Sequence, residues 1–390
     1  MIVVQDISGN PILDLDVRIA VGEQTIDKVF AAVEDGGAYD DKRTDDAGHL
    51  AWPNPLPSSE GYTLWFNYAN VKPGWGTAFV HVPELETTVV LERSPLTRLH
   101  VAFPWFANAQ WQRTFIKGHT DFLLHKHLLD GNRAKVEELL KQRADFGSNC
   151  ARIIGMSRKY PNGAGIADYR PQVYGEAYYD YLPETFELLD RYGMYGYYCA
   201  FADTGIVMPD YSEQRRHWDR LLSKFEPIPN VLVEHVNERY SKDNDVDHWE
   251  SFPMPNFLPV CSGSYNDSYQ GGGVPVPSRG NFADFHTPRD GHKPDGFKYC
   301  ADQNMAAHPN FRQLRMPVLS GEPQKFGDVS LGPIYAGNNL LSNPTQARMV
   351  AGSARGTSLG IIYHTVHGVY SELWDGIEQS CAREWFDELR

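Results

Sequence analysis

Two glutamates stand where apolar runs stop. Glu238 follows Asn237 at the end of "NVLVEHVNERY" (230–240), and Glu322 closes "MPVLSGE" (316–322). An acid that ends a buried strand is either solvated or held in a cleft. Two carboxylates across one cleft can divide acid–base work. One keeps a proton and donates it to a leaving oxygen, while the other, ionised, attacks or activates water. That is the minimum equipment for cleaving a glycosidic bond, and a separation of about 5–5.5 Å allows a covalent intermediate and retention. Side chains alternate along a strand, so Glu234 shares a face with Glu238 and lies deeper, as a candidate partner to the site.

Such acids need elements that aim them. From about residue 97 onward, apolar strand patterns alternate with amphipathic helix patterns. Eight strand candidates cover 98–103, 149–156, 194–202, 230–237, 257–262, 281–286, 316–321 and 360–365. "NRAKVEELLKQRADFG" places Val136, Leu139, Leu140 and Phe146 on one helical face, with a glycine stop. "LPETFELLDRYG" does the same with Phe186, Leu188 and Leu189. Alternation over the 97–390 region implies a parallel sheet, and eight repeats fit an α/β fold of the (β/α)8 TIM-barrel type. In that fold the site gathers at the C-terminal ends of the strands. The polar residues there are Arg152 on strand two, Asp203 after strand three, Asn237 and Glu238 after strand four, His286 after strand six and Glu322 after strand seven. Strand eight, "GIIYHTVHG", carries His364 and His367, with Trp374 further on. His119 and Asp121 follow the expected first strand and are candidates to line the cleft. Tyrosines 160, 169, 174, 178, 179 and 181 crowd the loop after strand two, where they either face sugar rings or pack on one another. The glycine-rich "YNDSYQGGGVPVPSRG" after strand five is a candidate lid.

Residues 1–93 have a different rhythm. Short alternating runs ("LDVRIAV", "YTLWFNYA", "TAFVHV", "TTVVLE") are separated by turn-rich pieces, which argues for a small antiparallel β-sandwich preceding the barrel. "DISGNPILDLDVRI" and "TDDAGHLAW" resemble the transthyretin-like or carboxypeptidase-regulatory-like β-sandwich modules. "ERSPLT" (92–97) reads as the linker.

The 97–390 region resembles the clan A glycoside hydrolases, the cellulase- and β-galactosidase-like (β/α)8 barrels. "HVNERY" matches their Asn-Glu after strand four, "LSGEPQKFGD" their glutamate after strand seven, "NCARIIGM" their strand-two arginine and "DFHTPR" their strand-six histidine. The resemblance implies Glu238 as acid/base, Glu322 as nucleophile and a retaining mechanism. It also implies Asn237 as partner of the sugar 2-OH, with Arg152 and His286 beside the substrate; strand-end position adds Asp203, His364, His119 and the later Trp374 as substrate-side candidates. Two departures stand out: Arg239 replaces the usual proline, and His364 and His367 stand where a tryptophan is common, with Trp374 later.

The formal net charge of −14 argues against a nucleic acid partner or an anionic membrane surface. No run of 18 apolar residues occurs, and the N-terminus lacks the features of a secretory signal. The expectation is therefore a cytoplasmic protein, one released by another route, or one whose signal has been removed. Five widely spaced cysteines with no CxxC do not make a disulfide framework, and Cys150, Cys199 and Cys261 read as small core residues. No dinucleotide or phosphate-loop motif occurs. The histidines of "GHTDFLLHKH" lack metal-site spacing, and the acidic run 243–250 lacks the glycine and last glutamate of a calcium loop. No cofactor or metal is expected, and the expected partner is a carbohydrate. Two rivals remain: a non-catalytic glycan-binding barrel, and a transglycosidase using the same two acids.

Overall fold

The structure is a computed structural model. It describes residues 2–5, 16–21, 40–43, 49–50, 62–66, 78–82, 87–90, 96–102, 105–109, 111, 113–158, 166–237, 251–261, 263, 265–266, 280–286, 317–322, 344–355 and 360–389. The chain divides into two compact units, Met1–Leu96 and Thr97–Arg390.

In the first unit, β1 (Ile2–Gln5), β4 (His49–Leu50) and β7 (Thr87–Val90) form one sheet. A second contains β2 (Asp16–Val21), β3 (Asp40–Arg43), β5 (Tyr62–Phe66) and β6 (Ala78–Val82). Val4, Val17, Leu64, Val82 and Val89 are buried, the alternation a half-buried strand requires. Every pair in the second sheet is antiparallel, but β1 runs parallel to β7. An all-antiparallel expectation fails there because these strands come from opposite ends of the unit, so no hairpin constrains their direction.

The second unit opens with a small antiparallel sheet of β8 (His100–Ala102), β9 (Trp105–Ala107) and β10 (Arg113–Thr114). Its Phe106 is buried and meets Phe282 edge-on at 5.4 Å, and Phe282 in turn meets Tyr197 at 5.8 Å. The 98–103 run is therefore not the first barrel strand. That strand is β11 (Lys117–Thr120), "KGHT". Its glycine and histidine gave it no apolar run to read, while "LHVAF" did have one.

From β11 onward the strands are β12 (Cys150–Ile154), β13 (Tyr195–Phe201), β14 (Val231–Val236), β15 (Val260–Cys261), β16 (Tyr265–Asn266), β17 (Ala283–His286), β18 (Val318–Glu322) and β19 (Gly360–Tyr363). They form one all-parallel sheet in the order β15-β14-β13-β12-β11-β19-β18-β17-β16. The two ends of the sheet, β15 and β16, are pieces of one short segment, so eight strand positions form a nearly closed barrel.

Helices cover the outside. Those central to the argument are α1 (Leu124–Leu129), α2 (Arg133–Asp145), α3 (Pro171–Tyr174), α4 (Glu176–Asp180), α5 (Leu182–Arg191), α6 (Thr204–Val207), α7 (Tyr211–Phe225), α8 (Pro344–Arg355), α9 (Val366–Tyr370) and α10 (Gly376–Glu388). In α2, Val136, Leu139 and Leu140 are fully buried as their spacing requires, and Gly147 (φ +94°) ends the turn in a conformation that favours glycine. In α7 the Asp210 side chain caps the helix by accepting the Glu213 N–H at 2.9 Å. One apolar cluster joins α1, α2, α5 and α7 to β12–β14. A second joins α8 and α10 to β18 and β19. Among the described residues no helix is long and apolar enough to cross a membrane. Cys150, Cys199, Cys261 and Cys381 are buried and unbridged, while Cys300 lies outside the described residues.

Candidate active site

Strand register sorts the side chains into two layers. Thr120 pairs with Arg152, Cys199 with Glu234, Glu234 with Cys261 and Asp284 with Leu319, and these face the barrel interior. His119, Ala151 and Tyr363 alternate with them and face the helices.

On the inner face Arg152 is fully buried. Its Nη2 donates to Glu234 Oε2 at 2.8 Å and to the Asn237 amide oxygen at 2.8 Å. Glu234 thus neutralises Arg152 deep in the barrel, and the guanidinium carries that anchorage out to Asn237. The Phe122 and Tyr197 rings lie 5.3 and 5.8 Å from the guanidinium carbon. Across the barrel, the Tyr197 hydroxyl donates to Asp284 Oδ2 at 2.7 Å, and the Gly321 N–H donates to Asp284 Oδ1 at 2.8 Å. Burial, then the charges of Asp284, Cys261 and Glu234, push the Tyr197 phenol well above its ordinary range, so it stays a donor. His286 is 3% exposed, with Nε2 3.7 Å from Asp284 Oδ2.

Glu234, Asp284 and His286 offer atoms within 4.8 Å of one another, as a metal site would. However, Arg152 already holds Glu234, and Tyr197 and Gly321 hold Asp284. A guanidinium inside the ligand sphere repels a cation, so the donor set fits an internal hydrogen-bond network better than a metal.

The remaining candidates are placed as follows. The backbone of Glu322 ends β18, in register with His286. Glu238 lies outside the described residues, as do the acidic run 243–250, most of the glycine-rich loop and Tyr160. Asn237 is partly buried and stands at the end of β14, its N–H bonded to Phe201 O at 2.9 Å. His364 is fully buried on the inner face and shares a 2.7 Å hydrogen bond with Thr120. Asp203 adopts a left-handed backbone (φ +52°) and accepts the Arg158 N–H at 3.1 Å, so it ties down the start of the strand-two loop.

Two expected cleft residues sit elsewhere. His119 faces the helices and bonds Ser148 and Asp121 at 2.7 and 3.0 Å. Trp374 is 2% exposed, with Arg143 over its ring at 3.9 Å and Phe146, Tyr363 and Phe386 around it. A ring covered this way offers no face to a sugar. His367 turns to Glu378 at 2.6 Å, and that bond raises its pKa. The strand-two tyrosines mostly pack together. Tyr169 and Tyr178 are fully buried, 5.8 Å apart, and the Tyr178 and Tyr198 hydroxyls meet at 2.5 Å.

Sequence reasoning passed over Tyr197 and Asp284. The signal was present: Asp284 is two residues from His286, hence on its face, and Tyr197 is two residues from Cys199.

No protein-family model matches the chain, and no curated protein does. Solved structures do. A putative glycoside hydrolase from Bacteroides vulgatus ATCC 8482 is similar over 97% of this chain and 77% of its own, with a TM-score of 0.55 and 12% identity. A glycoside hydrolase family 5 protein from the same organism is similar over 75% of this chain and 68% of its own, at 0.53 and 14%. A GH5_18 protein from Bifidobacterium longum subsp. longum ATCC 55813 is similar over 70% and 78%, at 0.51 and 12%. At these identities the likeness is one of fold: a (β/α)8 barrel of the kind that glycoside hydrolases use.

Proposed function

We propose that the protein is a retaining glycoside hydrolase acting on β-linked glycosides or polysaccharides. The observation that carries the reading is the Arg152–Glu234–Asn237 relay. It anchors, at the C-terminal end of strand four, the residue immediately before Glu238. The register of Glu322 with His286 at the end of strand seven supports it from the other side.

In this reading a Glu322 carboxylate oxygen attacks the anomeric carbon. Glu238 protonates the departing glycosidic oxygen as its bond to that carbon breaks, which leaves a glycosyl ester on Glu322. Water then attacks the same carbon, gives its proton to Glu238 and releases Glu322 as carboxylate. Asn237, oriented by Arg152, hydrogen-bonds the sugar 2-OH, an interaction that strengthens in the transition state. His286 and His364 line the same inner face. The N-terminal sheets are read as a β-sandwich accessory module. No step requires a cofactor.

The test is hydrolysis of aryl β-glycosides and β-glucans by the wild type, Glu322→Ala and Glu238→Ala. Expected are loss of turnover for the first variant and azide rescue of the second on aryl substrates. A wild type that binds oligosaccharides without cleaving them, with binding unchanged in both variants, replaces the reading with a glycan-binding barrel. Transfer to added sugar in preference to water would assign a transglycosidase.

A further inference from the structure

The end of strand seven is not a regular strand. β17 and β18 pair residue for residue through Ala283↔Val318, Asp284↔Leu319 and Phe285↔Ser320, and the next pair is His286↔Glu322. Gly321 is therefore an inserted residue, a β-bulge. An inserted residue moves every later residue of the strand by one register position. Without the bulge Gly321 would stand opposite His286. With it, Glu322 takes that register position.

Asp284 holds the bulge. It is fully buried, and its Oδ1 accepts the Gly321 N–H at 2.8 Å while its Oδ2 accepts the Tyr197 hydroxyl at 2.7 Å from strand three. A Cβ on Gly321 would run into the Asp284 carboxylate, so any larger residue there would have to displace the group that holds the bulge. The extra residue's N–H, which the ladder leaves unpaired, thereby gets an acceptor fixed from a third strand.

We propose that Asp284 is a positioning residue for Glu322: it sets the strand-seven register by holding the Gly321 amide and is itself held by Tyr197. This rests on the reading of Glu322 as the nucleophile. Asp284→Asn keeps an oxygen for the Gly321 N–H, and the Tyr197 hydroxyl can turn to accept. Asp284→Ala keeps neither.

The experiment compares wild type, Asp284→Asn, Asp284→Ala and Tyr197→Phe in two measurements. The first is amide exchange across 317–322, read by mass spectrometry against β12 and β13 as internal references. Exchange at 317–322 is expected to rise at least tenfold in Asp284→Ala and to stay near wild type in Asp284→Asn. The second is glycosylation of the enzyme by 2,4-dinitrophenyl 2-deoxy-2-fluoro-β-glucoside and the corresponding mannoside, with the label mapped by peptide sequencing. Misplacing a nucleophile by an ångström costs roughly 100-fold. Asp284→Ala should therefore lose about that factor in labelling at Glu322 and in kcat with KM unchanged, and Asp284→Asn should recover most of it. Unchanged exchange and labelling in Asp284→Ala overturns the positioning role. Exchange that rises equally at β12 and β13 also overturns it, showing a general packing role. A wild type that is never labelled, with exchange rising only at 317–322, removes the nucleophile reading and leaves the register claim standing.

Discussion

Two buried polar clusters use the same three kinds of side chain in this barrel. Inside, Arg152 meets Glu234, and Asp284 stands near His286. Outside, beneath the helices, Arg143 meets Asp121 at 3.0 Å, and His119 bridges Asp121 and Ser148. The outer cluster even has the serine–histidine–aspartate order of a nucleophilic site. Burial would raise the Asp121 pKa, but Arg143 and His119 outweigh it and hold the carboxyl low. Burial in turn lowers His119. Location separates the two clusters. The outer one is sealed by Trp374 and the Glu372 carbonyl, and its Ser148 hydroxyl also faces the Lys117 carbonyl at 3.0 Å. The inner one continues through Asn237 to the strand ends, where barrel chemistry is done. A constellation becomes a site only where a substrate can reach it.

The largest expected difference between them comes from removing each arginine. Arg152→Met and Arg143→Met each take the arginine away from a buried carboxylate, at about 3–5 kcal/mol of stability. Urea unfolding should show similar losses. Turnover per folded molecule should divide them: Arg152→Met loses roughly 100-fold through misplacement of Asn237, and Arg143→Met keeps it. Equal turnover in the two variants would erase the distinction. Trp374→Ala tests the same boundary. A core tryptophan costs about 3–5 kcal/mol on truncation, so Tm should fall while KM for an aryl glycoside stays constant. A raised KM at constant Tm would return Trp374 to the cleft.

Much of this was legible in the sequence, unevenly. Strands two to four announced themselves because each is apolar, and strands two and three are also flanked by a helix with a clear face. Arg152 and His286 fell on the inner face because alternation is obligatory in a strand, whereas Asn237, off the Glu234 series, reaches Arg152 from just beyond the last residue of β14. The first strand was missed because "KGHT" buries its polar residues by hydrogen bonding, at Ser148 and His364, rather than by being apolar. His119 and Trp374 were misplaced for a related reason: type and order do not say which face of the barrel a residue takes. The register of Glu322 was hidden as well, since a bulge is a backbone event set by Asp284, 38 residues earlier in the chain.

The outer layer should also govern acid stability. His125 and His217 are fully buried there, and burial lowers them to about 4 and about 3. The unfolded chain binds protons on both from near their ordinary value of 6.5, so it gains over the native state as pH falls below that. Stability is then full above about 6.5 and declines toward pH 4, by up to about 1.4 kcal/mol per pH unit for each histidine. His217→Gln should flatten the slope of unfolding free energy between pH 6.5 and 4. An unchanged slope would place the acid sensitivity elsewhere.

The smallest expected effect tests the outer triad directly. Ser148→Ala removes a hydroxyl that bonds His119 Nδ1 at 2.7 Å. That leaves a buried ring nitrogen unsatisfied, for about 1 kcal/mol. Neither glycoside turnover nor background hydrolysis of p-nitrophenyl acetate should change, because no substrate reaches a serine that is only 5% exposed beneath sealed neighbours. If ester hydrolysis in the wild type vanished with this substitution while Tm held, the sealed cluster would have to open in solution. Burial would then no longer separate the two constellations, and the inner one would need its own proof from Glu322.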